Sequence, residues 1–234
     1  MSAIGILTGL ASEARLVRSA MTGGAVTTII GCSGADEGRA RLACRRFQDD
    51  GVELLVSFGL AGGLAQGIGP GTLVIADSIL LPDGRIAPTS PSHTRTLSGV
   101  AQAAGLPAIG GILAGVRMPI TSAAQKRALG RRTNAVAVDM ESHVLADVAL
   151  TRDLPLIAIR AIADPAEMDM PAGLADLVAP GGGIRVVRSA CRLALGTLPA
   201  WSMWRIYRCS HAAMISLQRL MRAGAAGALS SGGR

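Results

Sequence analysis

The chain has 234 residues, half of them apolar, only 2% aromatic, and a formal charge of +7. That composition supports one α/β domain, or at most two small ones, with a full-sized core; it excludes disorder, a collagen-like repeat and a disulfide-stapled miniature, and argues against a stacking platform for single-stranded nucleic acid. The basic side is 22 arginines and a single lysine, Lys126; five arginines and no acid fall between Trp201 and Arg234, leaving +2 on the preceding two hundred residues, so a polyanionic partner belongs at the C-terminal end.

In chain order, short β-type runs alternate with helix-type segments. Strands are predicted over 4–8, 26–31, 54–59, 72–77, 109–114, 135–139 and 156–163, and helices over 12–21, 36–49, 94–104, 122–129, 141–151 and 184–195. The strand runs are nearly continuously apolar, as central strands buried on both faces are. Gly69-Pro70-Gly71, Pro82-Asp83-Gly84 and Gly181-Gly182-Gly183 read as turns, and 88–92 as a surface loop. The fold class expected is α/β, with a mixed, largely parallel central sheet flanked by helices and a C-terminal amphipathic helix.

Cys32, Cys44, Cys191 and Cys209 are scattered without a CxxC, and the first residues carry no basic leader. Both features lead us to expect reduced cysteines and a cytoplasmic protein. No run approaches the ~18 apolar residues of a spanning helix. Three histidines without paired spacing lead us to expect no metal.

In sheets of this kind ligands collect at the carboxyl ends of the strands. Glu13 follows the first strand by one short turn, Gly59-Leu60-Ala61-Gly62-Gly63 follows the third, Asp139 and Glu141 end the sixth, and Asp164 ends the seventh. A parallel sheet would bring these carboxylates and the small-residue loop to one edge, a candidate site. Each also has an ordinary structural reading. Glu13 suits the first turn of a helix, Asp139 an N-cap, and Asp164 before Pro165 a turn.

The run Val138-Asp139-Met140-Glu141-Ser142, followed some twenty residues on by Ile159-Arg160-Ala161-Ile162-Ala163-Asp164, resembles the nucleoside phosphorylase superfamily. The closest pattern is its 5′-methylthioadenosine/S-adenosylhomocysteine nucleosidase branch. Ile4-Gly5-Ile6-Leu7-Thr8-Gly9 leading to Glu13 resembles that branch's opening strand, and Ala61-Gly62-Gly63-Leu64 its nucleobase-side loop. The resemblance covers residues 1–197, and as a whole the chain is most similar to bacterial hopanoid-associated phosphorylases, linked to removing adenine from adenosylhopane.

The resemblance implies roles. Asp164 would protonate adenine N7, Glu13 would orient or deprotonate an attacking water, and Glu141 would accept hydrogen bonds from the ribose hydroxyls while Met140 packs on the sugar. Ala61, Gly62, Gly63, Phe58 and Gly9 would line the nucleobase and phosphate side, with Phe58 or Phe47 as candidates to stack on the purine. It implies no cofactor beyond inorganic phosphate as a candidate co-substrate, a homo-oligomer, and an adenine nucleoside substrate linked to a lipid. A small thionucleoside is the alternative substrate, and a non-catalytic nucleoside-binding module the alternative function.

The sequence departs from the pattern in places. Ala163 stands where the branch usually has Ser before the acid, and Leu60 replaces a Ser of the glycine loop. Where superfamily phosphorylases present arginines to phosphate, this chain has Glu13 and Ser57, which points to water as nucleophile, although the resembling group is named for phosphorolysis. Arg15, Arg39 and an arginine from a neighbouring subunit are the candidates to supply a missing charge.

Residues 198–234 are expected to form a separate basic amphipathic helix and flexible tail. At 100° per residue Met203, Ile206, Tyr207, Met214, Leu217, Leu220 and Met221 share a face, and Arg208, His211, Arg219 and Arg222 lie opposite. Trp201 and Trp204 fall among the arginines. The helix either docks on protein or lies on an anionic membrane at the inner face of the bilayer; nucleic acid is not the expected partner.

Overall fold

The computed structural model describes residues 3–23, 26–170, 182–183 and 200–230. The predicted helix over 184–195 lies outside them. Within them, β1 (Ala3–Thr8), α1 (Ala11–Met21), β2 (Thr27–Cys32), α2 (Glu37–Asp49) and β3 (Leu54–Gly63) alternate as predicted. Next come β4 (Leu73–Ile75), β5 (Ser78–Leu80), β6 (Ile86–Pro88), α3 (Pro91–Ala103), β7 (Ala108–Ile109) and β8 (Ile112–Gly115). The chain continues through α4 (Ala123–Thr133), β9 (Ala135–Asp139), α5 (Ser142–Arg152), β10 (Leu156–Asp164) and α6 (Ala200–Leu220). A π-helical turn over Met221–Ala225 then leads into α7 (Ala226–Ser230).

The sheet is mixed, and β3 organises it. Its first half pairs in parallel with β1, from Ile4↔Leu54 to Leu7↔Ser57. β10 runs parallel along its other edge from Leu156↔Leu55 onward. Beyond Ser57 the edge vacated by β1 is taken by β9, which runs antiparallel, with Gly62 opposite Val138 and Gly63 opposite Ala137. The strand ends thus converge although β9 opposes β3. Asp139 at the end of β9 comes alongside the Gly59–Gly62 stretch, while Asp164 at the end of β10 pairs with Gly62 from the other side.

Helices cover both faces. Ile4 and Ile6 of β1 and Ile157, Ile159 and Ala161 of β10 pack with Val17, Leu97, Leu217 and Leu220 from α1, α3 and α6. Ala3, Leu7, Leu55, Ala158 and Ile162 pack with Phe47 of α2 and Val144 and Leu145 of α5. This period-two division explains why the runs read as unbroken apolar sequence: both side-chain sets are buried.

Three expectations need correction. The predicted 109–114 strand is two: Gly111, at φ +118°, breaks it, and its N–H is held by Asp77 Oδ2 at 2.6 Å. β7 then pairs with β4, and β8 with β5 and β9. The surface loop over 88–92 is shorter, because β6 runs to Pro88 and Pro91 opens α3, with Thr89 buried between them; proline at a helix's first position loses no bond.

The Gly/Ala/Ser tail is helical through Ser230, and Ala225, Ala228 and Leu229 enter the same core as α3. Small side chains let this segment lie close against its neighbours. The C-terminal half of α6 likewise belongs to the core, with Ala213, Leu217 and Leu220 fully buried. Tyr207, on the predicted apolar face, is instead 64% exposed. No helix among the described residues is long and apolar enough to cross a membrane.

Candidate active site

At the converging strand ends lies a cavity of about 280 Å³. Its walls come from Leu60, Ala61 and Gly62 of β3, from Val138 to Glu141, from Ala163 and Asp164, and from two loops that contribute Pro119, Ile120 and Met170. The structure therefore brings Ala61, Gly62, Met140, Glu141 and Asp164 together. Gly9 abuts the same place: a Cβ there would stand 2.9 Å from Glu141 Oε1. Gly63 lies one residue behind the wall, paired with Ala137.

Phe58 does not line the cavity. It is buried in the core with Val17 and Ile159, two residues before Leu60, where β3 first reaches the cavity. Phe47 is equally buried, packed on Gly5 and Gly31 beneath α2. Neither ring can stack on a ligand in the cavity, which corrects both candidates.

Glu13 is also buried outside the cavity lining. Its Oε2 accepts from Gly9 N at 2.9 Å and Leu10 N at 2.8 Å, and its Oε1 from Leu60 N at 2.9 Å. The carboxylate thus satisfies the start of α1, as first-turn placement requires, and ties it to the glycine loop of β3. Burial pushes Glu13 above the usual carboxylate range, against the opposing pull of Arg160 and these three backbone donors.

Arg160 is the residue that the sequence reading quoted but did not assign. It is 1% exposed in the middle of β10. It forms an ion pair with Asp139, donates to Ser57 Oγ at 2.5 Å and Ser142 Oγ at 3.2 Å, and lies 3.8 Å from Glu141 Oε2. Gly59 makes this packing possible: a Cβ there would be 2.6 Å from Glu13 Oε2 and 2.8 Å from Arg160 Nη1. The available signal was a single charge inside the apolar run 156–163, since an arginine in a strand buried on both faces must be paired.

Asp139 combines its two readings. It accepts from Ser142 N and Oγ, as a capping group would, and it holds Arg160. Glu141 accepts from the buried Ser33 Oγ at 3.3 Å. Burial pushes Glu141 up to about 7, opposed by Arg160 and reinforced by Asp139 and Glu13.

Asp164 has a different partner. Lys126, on α4 and wholly buried, reaches Asp164 Oδ2 at 2.7 Å. Burial raises Asp164 and Lys126 opposes the rise. Lys126 was visible as the only lysine among 23 basic residues, but nothing in local spacing connected it to Asp164.

Neither proposed phosphate arginine stands free in the cavity. Arg39 donates to Ser33 O at 2.6 Å and Gly34 O at 3.3 Å, and Arg15 lines a separate groove between α1 and α6. Among the described residues no group of three His, Cys, Asp or Glu is placed to hold a metal ion.

The family model of the phosphorylase superfamily matches residues 6–183. The chain belongs to this superfamily. As a superfamily member it is similar to the 5′-methylthioadenosine/S-adenosylhomocysteine nucleosidase of Haemophilus ducreyi, 23% identical over 206 residues that span 70% of this chain and 85% of that protein. Its fold is shared with the Helicobacter pylori 5′-methylthioadenosine/S-adenosylhomocysteine nucleosidase in complex with butyl-thio-DADMe-Immucillin-A, at a TM-score of 0.70, 18% identity, and coverage of 95% of this chain and 98% of that one. Futalosine hydrolase of Helicobacter pylori superposes equally well, with TM-score 0.70, 18% identity and coverage of 94% and 97%. Coverage this high takes in most of the C-terminal helix. The fold shared with these structures therefore takes in part of the segment after residue 198, whereas the family model ends at residue 183.

Proposed function

We propose that this superfamily member cleaves the N-glycosidic bond of an adenine nucleoside conjugate, with adenosylhopane as the substrate and adenine as the released base. The observation that carries the reading is the pairing of two cavity carboxylates in different electrostatic settings, Glu141 beside Arg160 and Asp164 beside Lys126. Cleavage moves the C1′–N9 bonding electrons onto the base and leaves an oxocarbenium-like sugar. Glu141 accepts hydrogen bonds from the ribose hydroxyls and its charge favours the cationic sugar. Asp164 gives a proton to N7, so that adenine leaves neutral; such acid catalysis contributes roughly 10²–10⁴-fold.

Water is the nucleophile that the residues favour. The nearby arginines are occupied by carboxylates and carbonyls, and no described arginine is left facing the cavity to receive a phosphate dianion. Water adds at C1′, and its proton passes to bulk solvent through the mouth of the cavity. Glu13, anchored by three backbone N–H groups and outside the cavity lining, serves to orient Gly9, Leu60 and Arg160 rather than to abstract that proton. The lipid conjugate is supported by the apolar rim of Pro119, Ile120, Met140 and Met170, with Met118 beside it 73% exposed.

The lipid reading also gives a role to the first turns of α6. Trp201, Trp204 and Tyr207 are all 60–64% exposed. Arg205 and Arg208 lie over the two tryptophan rings at 5.2 and 4.7 Å, and no acid occurs from 200 to 230. This pattern supports peripheral contact with an anionic bilayer. Deleting the helix is the wrong test, since its second half is core; Trp201→Ser with Trp204→Ser should instead lower co-sedimentation with anionic vesicles, and unchanged partitioning overturns the contact.

The deciding experiment measures adenine release from adenosylhopane and from 5′-methylthioadenosine, with and without phosphate. Phosphate-independent release from the lipid is the expected result. Strict phosphate dependence would overturn the assignment of water, release from the small nucleoside alone would overturn the lipid substrate, and release from neither would leave a binding module.

A further inference from the structure

Lys126 sits in an environment that a merely structural lysine does not need. It is wholly buried in α4, and its Nζ lies 2.9 Å from Met168 O, 3.1 Å from Pro165 O and 3.4 Å from Asp164 O, with Asp164 Oδ2 nearest at 2.7 Å. An ammonium has three N–H donors and no acceptor, so four oxygens share three protons and the nitrogen cannot take one back while charged. The carbonyls alone would suffice to staple the turn after β10. The carboxylate contact goes beyond that, because a carboxylate within ~4–6 Å of a fixed cation is biased toward its charged form.

The geometry points to Lys126 as a positioning residue for the leaving-group acid: by holding Asp164 Oδ2 it directs the transferable proton to Oδ1 and sets the pH range over which Asp164 carries it. The inference rests on the proposed N-glycosidic cleavage. A carboxylic acid whose one oxygen accepts a charge-assisted hydrogen bond keeps its proton on the other. Among the described residues no other donor reaches this carboxylate, and Ala163 offers none. Lys126 does not line the cavity, whereas Asp164 does, so the lysine touches the base only through the acid.

The other charged groups around Asp164 are already committed. Asp139 and Glu141, across the cavity, face Arg160. On the following loop, Asp169 accepts from Ala123 N and Glu167 from Gly67 N. The sign follows from the cation. Lys126 favours ionised Asp164, so the protonated acid is lost at a lower pH with the lysine than without it, and removing Lys126 moves the basic limb of the rate profile upward.

The test compares wild-type protein with Lys126→Met and Lys126→Arg on two substrates. The first is adenosylhopane, whose adenine needs a proton to leave. The second is p-nitrophenyl riboside, whose leaving group does not. Lys126→Met is expected to lower kcat on the nucleoside roughly 10–100-fold at neutral pH, as for a misdirected general acid, and to move the basic limb of kcat/KM up by about one pH unit or more. On the activated riboside it should stay within about twofold of wild type.

Equal losses on both substrates, or a nucleoside profile with an unmoved limb, would overturn the proposal in favour of a plain staple. If Lys126→Met does not fold, Lys126→Arg decides: retention of the cation should keep the wild-type limb, and a folded Lys126→Arg with a displaced limb would overturn it. Wild-type protein inactive on every nucleoside would instead overturn the reaction itself, an outcome recognisable because it does not involve the variants.

Discussion

The cavity has two sides, each built on one buried cation, and they differ in how that cation is used. On the side of Glu141, the sugar side in the proposed reaction, Arg160 is surrounded by the three carboxyl groups of Asp139, Glu141 and Glu13. On the base side Lys126 meets one carboxylate and three carbonyls. Arginine's planar fork suits several simultaneous acceptors, while lysine delivers a compact charge to one point. In the proposed reaction several carboxyl groups around one cation suit an incipient sugar cation, and a single carboxylate with one oxygen held suits proton delivery.

The sharpest way to break the comparison is at the acid. Asp164→Asn removes the transferable proton and keeps the shape, so adenine release should fall by roughly 10²–10⁴-fold while nucleoside binding stays measurable by calorimetry. A variant as fast as wild type would move the acid elsewhere. Next in size is Arg160→Met. It leaves Asp139 and Glu141 unpaired in the interior, and breaking a buried ion pair costs about 3–5 kcal/mol, which for a domain of this size lowers Tm by about 10 °C or more. The loss should shrink in acid, where the orphaned carboxylates take up protons. A Tm unchanged at pH 8 would mean that Arg160 does not offset these charges.

The two cations were unequally legible. Element order and the carboxylate positions could be read because strands buried on both faces leave apolar runs that end at an acidic residue, as at Asp139 and Asp164. Arg160 was readable in principle, being a charge inside such a run. Lys126 was not, because its link to Asp164 spans 38 residues and exists only through the placing of α4 against the turn after β10. Phe58 misled because it adjoins the glycine loop in sequence, whereas the cavity wall on β3 begins only at Leu60 and Phe58 lies deeper, in the core. The β5–β6 hairpin and the helical tail were missed because three-residue strands and an Ala/Gly-rich segment carry no periodicity, and tertiary packing alone decides them.

A smaller effect sharpens the sugar side. Glu141→Gln keeps the side chain's size but replaces a charged acceptor. Hydrogen bonds to charged groups contribute about 1.5–3 kcal/mol, so kcat/KM on ribonucleosides should fall roughly 10–100-fold. The variant should also lose the preference for ribo- over 2′-deoxynucleosides that the proposed ribose contact gives wild type. A deoxy substrate that discriminates as strongly in Glu141→Gln as in wild type would remove Glu141 from ribose recognition and leave it to balance Arg160.

The smallest effect compares the two sides without any substrate. Burial raises Glu141 to about 7 from its ordinary 4.5, and raises Glu13 and Asp164 in the same direction. Between those values the folded chain binds more protons than the unfolded one, so stability is fully present below the unfolded value and is lost as pH rises through the folded one. Tm should therefore climb by a few degrees between pH 8 and pH 5. Glu37 and Asp83, lowered by Arg41 and Arg85, act with the opposite sign, but below this window. Glu141→Gln should flatten the slope more than Asp164→Asn, because Asp139 and Glu13 reinforce the rise of Glu141 against Arg160, whereas no neighbouring carboxylate reinforces that of Asp164 against Lys126. Equal flattening would mean that the two carboxylates share the proton uptake evenly, and a Tm that falls toward pH 5 would show that the buried carboxylates are ionised throughout.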